Sequence, residues 1–158
     1  MIAGYLKGKE QHRDMAAADD LDQVIEQYHQ ALDEIAKGSA DGYKRSYSHT
    51  DDVTLANPFG PPARGWDEVA KTLERAASQF RDGEATGFEN VAKYITAELA
   101  YIVEIERSQT KLEGRDDVTP ITLRVTTIFR PEEGTWKVVH RHADPITTAQ
   151  PAQSVIQE

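Results

Sequence analysis

The chain has 158 residues, 27 acidic and 18 basic, giving a formal charge of −9 and a sequence pI near 5.0. That size fits one domain, and no apolar run approaches the roughly 18 residues a membrane span needs. With no cysteine, disulfide scaffolds, thiolate zinc sites and cysteine nucleophiles are excluded, and the acidic balance argues against nucleic acid, which is held by clustered lysine and arginine.

Residues 1–18 carry Gly4 and Gly8 and no sustained apolar stretch, so they lack a signal-peptide core and read as a loose arm. From Asp19 the period turns helical: Leu21, Val24, Ile25, Tyr28, Leu32 and Ile35 recur at three- and four-residue spacing. Asp19, Asp20 and Asp22 suit the start of this helix, and Lys37-Gly38 suit its end. Ser39 can cap a second, shorter helix bearing Tyr43 and Tyr47 on one face. Val53 and Leu55 alternate as a short strand, and Asn57-Pro58-Phe59-Gly60-Pro61-Pro62 forbids regular structure. A third helix follows Gly65, with Trp66, Val69, Leu73, Ala76 and Phe80 facing one way and Arg81-Asp82-Gly83 as its stop. The period then changes to two over 85–96, 99–112, 118–130 and 136–144, joined by hairpin-length links, which predicts antiparallel strands. Helices first and strands last make an α+β fold, with helices on one face of the sheet. The tail, 146–158, is polar and reads as mobile. Long antiparallel strands curve, so three helices on the concave side leave a pocket at the wide end of the cone.

The stretch Thr50-Asp51-Asp52-Val53-Thr54-Leu55-Ala56-Asn57-Pro58-Phe59-Gly60, with Arg64-Gly65 opening a helix, resembles the nuclear transport factor 2-like superfamily. Within it the stretch is similar to ketosteroid isomerase and the SnoaL-like polyketide cyclases. Thr127-Ile128-Phe129-Arg130, Gly134, Trp136 and Val139-His140-Arg141-His142 also resemble the association (hub) domain of calcium/calmodulin-dependent kinase II. The resemblance covers roughly 19–145 and implies a cone-shaped domain. Where the isomerase has its proton-shuttling aspartate this chain has Asn57, an amide that can orient a ligand but cannot act as base. The isomerase's oxyanion-hole aspartate falls on Val125, and a supporting tyrosine falls on Leu73. Steroid isomerisation is therefore not expected.

The resemblance also sets strand parity: Val125, Thr127, Phe129, Val139 and Arg141 toward the helices, lining a cavity with Tyr28, Tyr43, Tyr47, Phe59 and Trp66. A buried Arg141 implies either an anionic ligand or an internal salt bridge to Glu104 or Glu106. Glutamate-rich stretches, Glu104 with Glu106 among them, otherwise read as solvated faces. The opposite face would hold Ile128, Trp136, Val138, His140 and His142, the centre of an expected homodimer. His140-x-His142 is read as an interface pair rather than a metal site, and no cofactor is expected. His49 and Asp51, beside Asp52, could move protons at the cone's mouth, or could simply be a helix end followed by solvated carboxylates. The expectation is a cytoplasmic protein that binds or converts a small hydrophobic carbonyl or carboxylate compound by proton transfer, cyclisation or hydration. The alternative is a non-catalytic ligand-binding or oligomerisation module like the hub.

Overall fold

The computed structural model describes residues 2–157, with side chains described for 7–9 and 20–157. Helix α1 spans Ile2–Ala36, so 2–18, read as a loose arm, are helical and the aspartates at 19–22 are not a cap. Composition favours the helix from residue 9 onward: residues 9–36 contain neither glycine nor proline and include five alanines and four glutamines. The predicted stop holds, with Gly38 in the left-handed region at φ 97°.

Helix α2 (Asp41–Ser46) folds back on α1. Ser39 contributes only a 3.4 Å contact to the Asp41 amide, while Glu34 Oε2 of α1 accepts from the Gly42 amide at 3.0 Å. Gly42 is required there: a Cβ would lie 2.8 Å from that of Ala31 and 2.6 Å from Glu34 Oε2.

Strands β1 (Thr54–Ala56) and β2 (Ala63–Arg64) bracket the proline-rich loop, and α3 (Trp66–Ala77) follows. Strands β3 (Phe80–Ile95), β4 (Ala100–Leu112), β5 (Val118–Glu132) and β6 (Thr135–Asp144) complete a curved six-stranded sheet in the order β2-β1-β6-β5-β4-β3. The long strands pair antiparallel as expected, but β1 lies parallel to β6, placing Leu55 beside Arg141. Phe80 belongs to β3 rather than to α3.

Helices cover the concave face, where Leu21, Tyr28, Tyr47, Val69 and Phe129 are fully buried. One parity expectation is overturned. The ladder pairs Ile128 with His140 but Phe129 with Val138, so Val139 is the extra residue of a β-bulge. On its N-terminal side the alternation reverses. Trp136 and Val138 therefore face inward and belong to the buried core, so they are not the centre of an outer-face dimer contact. Beyond Pro145 the tail is exposed, with one 3₁₀ turn at Ala152–Val155. Among the described residues no helix is long and apolar enough to cross a membrane.

Candidate functional site

The expected aromatic hollow is largely occupied by its own rings. Tyr28, Tyr47, Val125, Thr127 and Phe129 are each no more than 1% exposed, and Tyr28 packs edge-on against Phe129 with centroids 6.0 Å apart. The open space lies further toward β3. It is a cavity of about 90 Å³, against the roughly 10–15 Å³ that one water requires. Leu32 and Ile35 of α1, Leu73 and Ala76 of α3, Pro58 and Phe59 of the loop, and Phe80 and Phe88 of β3 form its apolar walls. Tyr43, Asn57, Glu106 and Arg141 also line it. Asn57 is committed to its own loop, since its side-chain oxygen accepts from the Phe59 amide at 3.1 Å. Of the ligand-facing residues expected from sequence, Tyr43, Phe59 and Arg141 line this cavity. Trp66 lies outside it, stacked on His49, and Val139 sits in the bulge.

Arg141 points inward as the parity required and is 5% exposed. Its partner is internal: both terminal nitrogens donate to Glu106, at 2.8 and 2.7 Å. One of them also donates to the Tyr28 hydroxyl at 2.6 Å, which bonds Thr127 at 3.1 Å. Burial works against the guanidinium's charge, but Glu106 and the Tyr28 and Tyr43 hydroxyls hold its pKa well above the ordinary value. Burial also raises the pKa of Tyr28, and that of Tyr43 further, so both remain hydroxyls. Arg141 lies over the Tyr43 ring at 5.3 Å. Among the described residues, the Tyr43 hydroxyl is the one buried side-chain polar atom without a hydrogen-bond partner. Its polar neighbour, the Tyr28 hydroxyl, is close enough to add to the rise in the Tyr43 pKa but lies outside normal hydrogen-bond geometry.

The cluster expected at the mouth disperses. His49 is exposed, donates from Nε2 to the Lys44 carbonyl at 2.7 Å, and stacks on Trp66 at 3.8 Å. Asp51 is exposed, and Asp52 pairs with Arg130 at 2.7 Å and accepts from Thr50 at 2.6 Å. Those bonds depress the Asp52 pKa far below the usual carboxylate range. None of the three lines the cavity. On the outer face His140 bonds Thr54 at 2.7 Å, and His142 faces Asp144 at 3.6 Å. Among the described residues no group of three or more histidine or acidic side chains is arranged to hold a metal.

The two carboxylates read either as a solvated stretch or as internal partners of Arg141 are interior, and Glu106 is that partner. Glu104 and Glu106 are 3% and 5% exposed, in phase with Ala100 and Ile102 on the concave face of β4. Glu104 receives His29 of α1, whose Nε2 is 2.9 and 3.0 Å from its two oxygens. The imidazole stacks flat on Phe88, with centroids 3.8 Å apart. His29 sits outside the apolar stripe of α1. The signal that could have found the pair is strand phase: Glu104 and Glu106 alternate in step with residues that must be buried.

A family model for the SnoaL-like domain matches residues 21–147. The chain belongs to the SnoaL-like family. No curated protein sequence matches this SnoaL-like chain. Among solved structures it is similar to a nuclear transport factor 2-like superfamily protein from Salmonella enterica, at 14% identity and TM-score 0.72, covering 89% of this chain and 98% of that one. It is also similar to a candidate scytalone dehydratase from Novosphingobium aromaticivorans, at 15% identity and TM-score 0.67, covering 90% and 99%. A third is a candidate calcium/calmodulin-dependent protein kinase type II association domain from Thiobacillus denitrificans, at 20% identity and TM-score 0.61, covering 77% and 91%. At these identities the SnoaL-like chain shares their fold.

Proposed function

We propose that the cavity binds a small, neutral, largely apolar molecule of one or two rings by a carbonyl oxygen at its inner end, and that its chemistry is proton transfer or hydration beside that carbonyl. The observation that carries this reading is the Tyr43 hydroxyl, a buried donor without a partner in the wall of an apolar cavity. Leaving such a donor unmade is costly, and a ligand oxygen reached by a modest tilt of the ring satisfies it. A carbonyl is favoured over a carboxylate because Glu106 already neutralises Arg141 and Glu104 is buried beside it. An incoming anion would meet the Glu106 carboxylate, and the two guanidiniums in the cavity wall, Arg141 and Arg107, are already paired with Glu106 and Glu89. The resemblance to a dehydratase is consistent with chemistry at a carbonyl-activated carbon.

The test is a thermal-shift and calorimetric comparison of acetophenone and 1-indanone with benzoate. The ketones should stabilise the protein and benzoate should not. Tyr43→Phe should weaken ketone binding about fivefold, the value of one hydrogen bond. Benzoate binding that survives Tyr43→Phe while the ketones fail would refute the reading.

A second reading, a non-catalytic assembly module like the kinase hub, is favoured by Asn57 standing where the isomerase resemblance needs a carboxylate. Either reading accommodates a homodimer formed through the convex sheet face. Cross-strand neighbours Tyr94, Tyr101, Ile128 and His140 form one row there, flanked by Val103 and His142.

A further inference from the structure

The proposed carbonyl site needs a base, and the residues expected to supply one lie elsewhere: Asn57 is an amide bound to its own loop, and His49 and Asp51 are outside the cavity. We infer that His29, oriented by Glu104 and screened by Phe88, is the proton-transfer group of this site for ketones carrying an α-hydrogen; the inference rests on the carbonyl-binding reading above.

Three observations support it. First, an ionised carboxylate only accepts, so contact of both Glu104 oxygens with His29 Nε2 places the ring hydrogen there. Nδ1 is then left with its lone pair, and it has no hydrogen-bond partner among the described residues. A carboxylate that fixes the tautomer and steadies the imidazolium formed on protonation is the arrangement a histidine base requires. Second, the pair adjoins the cavity. Glu104 is two residues from the cavity-lining Glu106 on the same face of β4, about 7 Å along the strand. Phe88, which lines the cavity, also stacks on the imidazole at a ring spacing of 3.8 Å, so His29 is one aromatic ring removed from the cavity wall. Third, that ring is placed to move. Phe88 is half-buried on the sheet's edge strand, one residue beyond Gly87 and just past the register shift between Ala85 and Gly87. Turning the ring aside brings the imidazole to a bound molecule, and the partial exposure of His29, 22% of its side chain, leaves a route for the proton to solvent.

The step balances within the site. Nδ1 takes the α-hydrogen as a proton, and the C–H electron pair becomes the C=C of the enolate. The negative charge moves to the oxygen held by the Tyr43 hydroxyl. Return of a proton, or of a deuteron after exchange with solvent, restores the ketone and the neutral imidazole.

The measurement is deuterium incorporation at the α-carbon of 1-indanone in heavy water, followed by proton NMR, with binding measured separately by calorimetry. Wild type should accelerate exchange over buffer, and His29→Gln should lose about a hundredfold of that rate while still binding. Glu104→Gln should lower the rate as well. Phe88→Ala should raise it by uncovering the imidazole, a gain that a purely structural role for His29 does not predict. Exchange unchanged in His29→Gln, or absent in a wild type that binds the ketone, would overturn the inference. Failure of wild type to bind would instead overturn the carbonyl-site reading, and with it this one. If His29→Gln does not fold, Phe88→Ala decides: faster exchange supports His29, and an unchanged or slower rate refutes it.

Discussion

Arg141 shows how a residue can be legible in direction and ambiguous in purpose. Strand alternation and family resemblance both turn it inward, and it is buried. Whether it meets a ligand or a neighbour depends on which strand lies opposite in the final packing, information that local pattern does not contain. Glu106 meets it with two hydrogen bonds. Removing one partner strands a buried charge, so Arg141→Ala should cost about 3–5 kcal/mol in urea denaturation. Replacing both, as Arg141→Met with Glu106→Leu, should recover most of that loss. Tyr43 has the opposite character: Tyr43→Phe deletes a hydroxyl without a partner and should stabilise the ligand-free protein by about 1 kcal/mol.

At the scale of elements, the switch from helical to alternating period and the proline-rich loop were readable, because each reflects a repeat that burial imposes on neighbouring residues. What escaped was set by contacts between distant segments. Phe80 fits the apolar face of α3, yet it starts β3 because the chain turns at Ser78 and pairs Phe80 with Leu112. The bulge at Val139 inserts one residue, and so reverses the faces of Trp136 and Val138 with no trace in the local alternation. His29 was missed for the same reason, since its importance comes from Glu104, 75 positions away. Close approach also makes one strand glycine obligatory. A Cβ on Gly83 would lie 2.5 Å from the Gln109 carbonyl and 2.6 Å from that of Ala36, whereas one on Gly87 meets nothing within 4 Å. Gly83→Ala should therefore cost about 3 kcal/mol, and Gly87→Ala should be neutral or stabilising by about 0.5 kcal/mol. Paired thermal melts check both.

At the scale of the whole molecule, the convex face of the sheet presents an exposed aromatic row among the described residues. On the convex face Tyr94 stacks on Tyr101 at 5.6 Å, and Tyr94 remains 53% exposed. A second copy covering this row should give a light-scattering mass of twice 17.6 kDa, reverting toward the monomer in Tyr101→Asp. The same face gives stability a pH dependence. Partial burial, then the nearby His142, holds the His140 pKa below the ordinary 6.5. The native state thus binds that proton more weakly than the unfolded chain. His140 contributes fully to stability above pH 6.5, and its contribution declines as pH falls from there toward the native value. His140→Gln should flatten the fall in melting temperature over that interval.

The parallel pairing of β1 with β6 has a consequence for synthesis. Strand β6 slots between β1 and β5, so both flanking edges stand open until β6 has been made. Glu106 emerges 35 positions ahead of the arginine that will neutralise it. A carboxylate bound for the interior without its partner opposes burial, so closure of the concave face over Glu106 is expected to follow the arrival of β6.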